Sequence, residues 1–121
     1  MDNRILVVDD SPTFRGIASI TLEKAGNVVT QACDGLDACG YLENGNFELF
    51  VVDINMPRMN GVELIHKIRE YSQYQETPII VLSTEDDPSV MQKVKDQSVL
   101  YWLVKPFTPV ELLDKVADIF K

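Results

Sequence analysis

A chain of 121 residues, 45% hydrophobic and 25% charged, is sized for one globular domain, residues 1–121, burying roughly two-thirds of its unfolded surface. Its formal net charge of −8 excludes a basic stripe for nucleic acid, weighs against anionic membrane surfaces and suits a cationic partner, protein or metal. Without a visible secretory leader or bilayer-length apolar run, a cytoplasmic location is expected, and Cys33 and Cys39 read as reduced thiols near the core.

Five apolar runs, at 5–9, 28–33, 49–53, 78–83 and 99–104, alternate with helix-like stretches. They are rich in Val, Ile and Leu, and several are continuously apolar, as parallel strands covered on both faces require. Ser11 with Pro12 starts the first helix, whose stripe is Phe14, Ile17, Ala18, Leu22 and Ala25 before Gly26. Asp34 and Gly35 precede a second, with Leu36, Ala38, Cys39 and Leu42 inward and Gly45 as its stop. Asn60 caps a third carrying Val62, Leu64, Ile65 and Ile68; the polar stretch 71–76 extends it or follows it. Asp87 and Pro88 start a weaker fourth with Val90, Met91 and Val94. Thr108 and Pro109 start the last, with Leu112, Leu113, Val116, Ile119 and Phe120 inward. This (βα)₅ alternation predicts an α/β fold, a doubly wound parallel sheet in the flavodoxin-like order 2-1-3-4-5, with functional groups beyond the carboxyl ends of the strands.

Those ends carry the chemistry. The first strand closes on Asp9 and Asp10, the third on Asp53, the fourth on Ser83 and Thr84, and the fifth on Lys105. Two carboxylates about 4 Å apart at an effective dielectric near 20 repel by about 4 kcal/mol, so something must offset them. Three converging carboxylates suit a hard divalent cation, and Mg²⁺ accepts such ligands while keeping room for phosphate oxygens. Phosphoryl transfer needs an aligned nucleophile, a cation and clamping donors. Asp53 fits the nucleophile, since a carboxylate forms an aspartyl phosphate, and Lys105 and Ser83 fit the clamps.

The segments Val8-Asp9-Asp10, Asp53-Ile54-Asn55-Met56-Pro57 through Asn60-Gly61, Val81-Leu82-Ser83-Thr84 and Val104-Lys105-Pro106-Phe107 together resemble the receiver domain of two-component response regulators, over nearly the whole chain. The resemblance implies a phosphoacceptor rather than an enzyme in the strict sense, one that promotes its own phosphorylation and dephosphorylation. Asp53 would accept a phosphoryl group from a sensor histidine kinase or a histidine phosphotransfer protein. Asp10, Asp53 and the main-chain carbonyl of Asn55 would ligate Mg²⁺, with Asp9 acting through water, and Ser83 and Lys105 would hold the phosphoryl group. The resemblance further implies a cis Lys105–Pro106 bond and a switch in which Ser83 moves and Trp102, three residues before Lys105, turns inward. The fourth helix, fifth strand and fifth helix would then signal to a downstream protein or a separate output domain. Asn55 and Glu85 would tune the lifetime of the acyl phosphate.

Two departures stand out. Ser83 replaces a frequent Thr, and the stretch Lys95 to Trp102 lacks the Ala-Gly-rich turn usual before the fifth strand, so the fourth helix needs another C-cap. The single histidine, His66, sits away from the strand ends and is no phosphodonor. A haloacid-dehalogenase-type phosphatase would want an acid where Asn55 stands, and neither a flavin phosphate loop nor a P-loop is present. The remaining alternative is a receiver-fold interaction module that works without phosphorylation. The chain reads either as a free-standing regulator of the chemotaxis kind or as one part of a longer regulator.

Overall fold

The computed structural model describes residues 3–84 and 88–121. Strands β1 (Arg4–Val8), β2 (Val28–Ala32), β3 (Leu49–Asp53), β4 (Ile79–Ser83) and β5 (Val99–Val104) alternate with helices α1 (Pro12–Lys24), α2 (Gly35–Gly45), α3 (Gly61–Arg69), α4 (Pro88–Val94) and α5 (Pro109–Ile119). All strands pair in parallel, in the order β2-β1-β3-β4-β5, the doubly wound arrangement expected. No helix among the described residues is long and apolar enough to cross a membrane.

The strand sequences follow from which face each side chain meets. Along β1, Ile5 and Val7 pack toward α1 and α5, while Leu6 and Val8 pack toward α2, α3 and α4. The same period of two divides Leu49 and Val51 from Phe50 and Val52, and Ile80 and Leu82 from Ile79 and Val81. Both faces are covered, so every residue of β3 and β4 is buried, and each branched side chain contributes roughly 1.5–3 kcal/mol of transfer free energy. The edge strands β2 and β5 are only partly covered, and their sequences are accordingly more mixed.

Helix starts obey the local signals. The Ser11 hydroxyl accepts from the Phe14 amide, Asp34 from Asp37, and Asn60 and Thr108 each complete a capping box with Glu63 and Glu111. The Asp87 start of α4 lies outside the described residues. Some expectations need correction. Asn46 (φ 51), not Gly45, takes the left-handed position after α2; Gly45 is the last helical residue, and its lack of a side chain makes room for the Phe47 ring, which a Cβ would approach to 2.1 Å. Leu36 is 47% exposed, since the inward face of α2 begins at Ala38. Cys33 is exposed and only Cys39 is half-buried. The stretch after α3 forms a short 3₁₀ turn, Ser72–Tyr74, whose Tyr74 hydroxyl donates to the Leu42 carbonyl at 2.6 Å.

The missing glycine after α4 is answered from α3. Ser98 takes the left-handed conformation itself (φ 59), and Arg69 gathers the loose carbonyls around it. Its Nε donates to Gln97 O at 2.8 Å and its Nη1 to Tyr74 O at 2.5 Å and Thr77 O at 2.7 Å, while Nη2 also meets Gln97 O. One guanidinium thus closes the C-terminal end of α4 and ties it to the turn before β4. Arg69→Met, which keeps the aliphatic stem, is expected to lower the unfolding free energy in urea by about 2 kcal/mol and to speed amide exchange across 95–99. A variant as stable as its parent would mean that these carbonyls are satisfied otherwise.

Candidate functional site

The parallel register brings the ends of β1, β3, β4 and β5 to one edge of the sheet. Val8 pairs with Val52, Asp53 with Leu82, and Ser83 with Val104, so Asp9, Asp53, Ser83 and Lys105 emerge side by side. Asp9 is fully buried, Asp53 is 3% exposed and Ser83 2%, whereas Asp10 and Asn55 are exposed. The carboxylates of Asp9, Asp10 and Asp53 each offer an oxygen within 4.8 Å of the others.

Lys105 answers part of their repulsion. Its Nζ lies 2.8 Å from Asp9 Oδ2 and 3.4 Å from Asp53 Oδ1, with a side chain only 6% exposed. The contact with Asp9 is ionic rather than directional, because Oδ2 receives no aligned hydrogen bond. Asp9 Oδ1 accepts from the Ser11 amide at 2.9 Å, and Arg15 Nη1 donates to the Asp9 carbonyl at 2.7 Å, so the turn into α1 holds this acid in place. The Lys105–Pro106 bond is cis.

One ammonium does not balance the cluster. Burial, and then the charge of Asp9, push the Asp53 carboxyl up to about 7, although Lys105 pulls the other way. Two buried carboxylates, a third at the mouth and a buried oxygen without a directed donor make a donor set of hard oxygens with surplus negative charge, which fits a divalent cation.

Sequence reasoning missed several neighbours of this cluster. Phe14, read only as core, places its ring 4.6 Å from Lys105 Nζ and 5.9 Å from the Phe107 ring, so a cation–π contact steadies the ammonium. The available signal was its position one helical turn after Asp10. Arg58, in the loop after β3, contacts Asp34 at 2.6 Å; nothing in the spacing of these two residues announced it. The Asp37 amide, aided by Arg58, holds the Asp34 carboxyl below its usual range against the opposing effect of burial. His66 is exposed on α3. Glu85 lies outside the described residues.

On β5 the two aromatic neighbours face opposite ways. Tyr101 packs with the α1/α5 layer, where its hydroxyl meets Asp118 and Lys115 Nζ lies 5.0 Å from its ring. Trp102 packs with the layer of α2, α3 and α4. A register shift causes this: Ile79 pairs with Val99 but Ile80 with Tyr101, so Leu100 is skipped and stands 53% exposed.

The Asp53 environment has a stability consequence in metal-free buffer. An acid raised from 3.8 to about 7 on folding stabilises the fold only while protonated. That contribution is complete below about pH 4, falls as pH rises and is gone above about pH 7. Asp53→Asn, which cannot ionise, is therefore expected to melt several degrees above the parent in EDTA at pH 8. The gap should narrow as pH falls and close near pH 4. Equal melting temperatures at pH 8 would show that the carboxylate is not desolvated.

Comparison with known proteins agrees with this geometry. The family model for the response regulator receiver domain matches residues 5–117. A chemotaxis protein CheY homolog of Campylobacter jejuni is 38% identical over 118 residues, 96% of this chain and 91% of that protein. CheY1 of Helicobacter pylori is 38% identical, with 93% of each covered. The sensor kinase/phosphatase CqsS of Vibrio cholerae is 36% identical over 96% of this chain but only 17% of that protein. The crystallised chemotaxis protein CheY4 of Vibrio cholerae superposes with a TM-score of 0.93 at 39% identity, covering 98% of this chain and 99% of that one. The chain belongs to the response regulator receiver domain family.

Proposed function

We propose that this protein is a phosphoacceptor switch in which Asp53 takes a phosphoryl group from a phosphohistidine on a sensor histidine kinase or phosphotransfer protein. The observation that carries this reading is the buried Asp53 carboxylate at the end of β3, with an ammonium 3.4 Å away and two further carboxylates beside it. In the transfer, the P–N bond of the donor breaks as a bond forms between phosphorus and an Asp53 oxygen. The imidazole leaves with the electron pair and takes up a proton. Water attack on the acyl phosphate later returns the carboxylate and inorganic phosphate.

Asp10, Asp53 and the Asn55 main-chain carbonyl would hold Mg²⁺, with Asp9 acting through water. When bound, the ion supplies positive charge to the phosphoryl oxygens and keeps Asp53 ionised. Lys105 then has a second task. Its ammonium, now shared between Asp9 and Asp53, holds one phosphoryl oxygen, and the Ser83 hydroxyl donates to another. The whole chain, 1–121, acts as one receiver unit in the cytoplasm and is not an enzyme on other substrates, though it assists its own phosphorylation and dephosphorylation.

Trp102 is the reporter residue. It lines a groove with Met91, Val94, Lys95 and Val99, so movement of Ser83 on the neighbouring strand would be felt by its ring. The face of α4, β5 and α5 would thereby signal to a downstream protein or output domain, without direct nucleic-acid or membrane binding.

Incubation with a small acyl phosphate and Mg²⁺ is expected to add one phosphoryl mass to the wild-type chain and none to Asp53→Asn. Lys105→Met should slow the addition by roughly 10²- to 10³-fold, in keeping with loss of one electrostatic clamp worth about 2.7–4 kcal/mol. Failure of the wild-type chain to gain mass would favour the phosphorylation-independent interaction module. Tryptophan emission, from the single indole, should change on phosphorylation of the wild type and stay constant in Asp53→Asn; an unchanged spectrum in the modified protein would remove Trp102 from the switch.

A further inference from the structure

The loop 54–60 leaves the sheet at the phosphoacceptor and returns to it. The Gly61 amide donates to the Ile54 carbonyl at 2.9 Å. A Cβ on Gly61 would come 2.3 Å from the Asp53 carbonyl and 2.8 Å from Ile54 Cα, both backbone. The closing end of the loop therefore rests directly on the Asp53 main chain, so a shift of the loop is passed to the nucleophile.

The far end of the loop is docked on α2. The Gly35 amide donates to the Met59 carbonyl at 3.2 Å, and Gly35 approaches so closely that a Cβ would lie 2.5 Å from that oxygen. At the apex Arg58 adopts φ 65, a left-handed conformation that is unfavourable for a side-chain-bearing residue and that glycine adopts freely. Its Nε and Nη2 reach Asp34 Oδ2 at 2.7 and 2.6 Å. The same Asp34 accepts from the Asp37 amide through Oδ1 at 2.8 Å, and its side chain is only 7% exposed. A buried carboxylate held by its own helix is thus a fixed anchor for the strained apex. Arg58 itself is 56% exposed, so an ion pair of this kind adds little to global stability. A strained residue persists where its surroundings over-determine it, and here they are the Asp34 carboxylate together with the Met59 amide, which donates to the Pro57 carbonyl at 2.8 Å across Arg58.

We propose that Asp34 and Arg58 are positioning residues for the phosphoacceptor site. Their ion pair pins the loop 54–60 to α2, so that the Asn55 carbonyl and the Asp53 main chain are held in the arrangement that receives the cation. This inference rests on the function proposed above, yet its first test does not.

In metal-free buffer, amide exchange at Met56, Met59 and Asn60 should be faster in Arg58→Gly than in the wild type, while the melting temperature holds or rises because the backbone strain is relieved. Mg²⁺ titration without phosphodonor should show affinity weakened roughly tenfold, the usual effect of losing an outer partner of a metal site. Asp34→Asn, which keeps the helix cap, should reproduce the weakened affinity, and Arg58→Lys should recover most of it. Mass gain at subsaturating Mg²⁺ should slow in parallel and recover at saturation. Wild-type loop exchange together with wild-type Mg²⁺ affinity in Arg58→Gly would overturn the proposal. A fall in affinity matched by a fall in melting temperature would overturn it too, by showing a merely structural role. If the wild-type chain gains no phosphoryl mass, the functional reading fails, while the exchange and titration results still decide the role of the ion pair.

Discussion

The top of this molecule depends on one lysine lying among carboxylates that the sheet forces together. Parallel pairing of β1 with β3 leaves no freedom to separate Asp9 from Asp53, because Val8 and Val52 are already register partners. Both acids are buried, so water cannot screen them well. Lys105, arriving from β5, two strands from β3 and three from β1, meets both. Its single charge leaves an imbalance, and the elevated Asp53 carboxyl is the measure of it. A site tuned only for stability would carry apolar residues here; this one retains a surplus of negative charge on hard oxygens, a donor set that fits a divalent cation.

The surrounding structure works to keep that arrangement rigid. The amide of Ser11 and the guanidinium of Arg15 hold Asp9, and the ring of Phe14 covers Lys105. Gly61 lets the loop after β3 close against the Asp53 backbone. Each of these groups belongs to the first turn of a helix or to the residue just before one. The helix starts therefore do more than end the strands: they supply the groups that aim the acids.

The α4–β5 side of the fold is organised by a single extra residue. Had β5 continued with strict alternation from Val99, Trp102 would share the α1/α5 face. Skipping Leu100 reverses the alternation, sends Tyr101 toward α5 and places Trp102 with the layer of α4. Arg69 holds the chain where α4 gives way to this strand, standing in for the turn glycine that the sequence lacks. The geometry of the α4–β5 face is thus a product of one bulge and one long-range guanidinium.

What the amino-acid sequence determined by itself was the alternation of strands and helices, the helix caps and the identity of the residues at the strand ends. Those features are local: continuous Val/Ile/Leu runs mean two covered faces, and Ser11, Asn60 and Thr108 bond to amides three residues away. The acids, the hydroxyl and the lysine were legible as a site because strand ends in a doubly wound sheet converge by topology. Which way Trp102 faces, what caps α4, and that Arg58 reaches Asp34 were decided only in the tertiary structure. A bulge depends on the register chosen by the neighbouring strand, and a guanidinium 24 residues from Asp34, or 28 from Gln97, finds its partner only after the layers have packed. Leu36 and Cys33 went astray for the same reason, since exposure at the rim of a layer depends on what packs beside it.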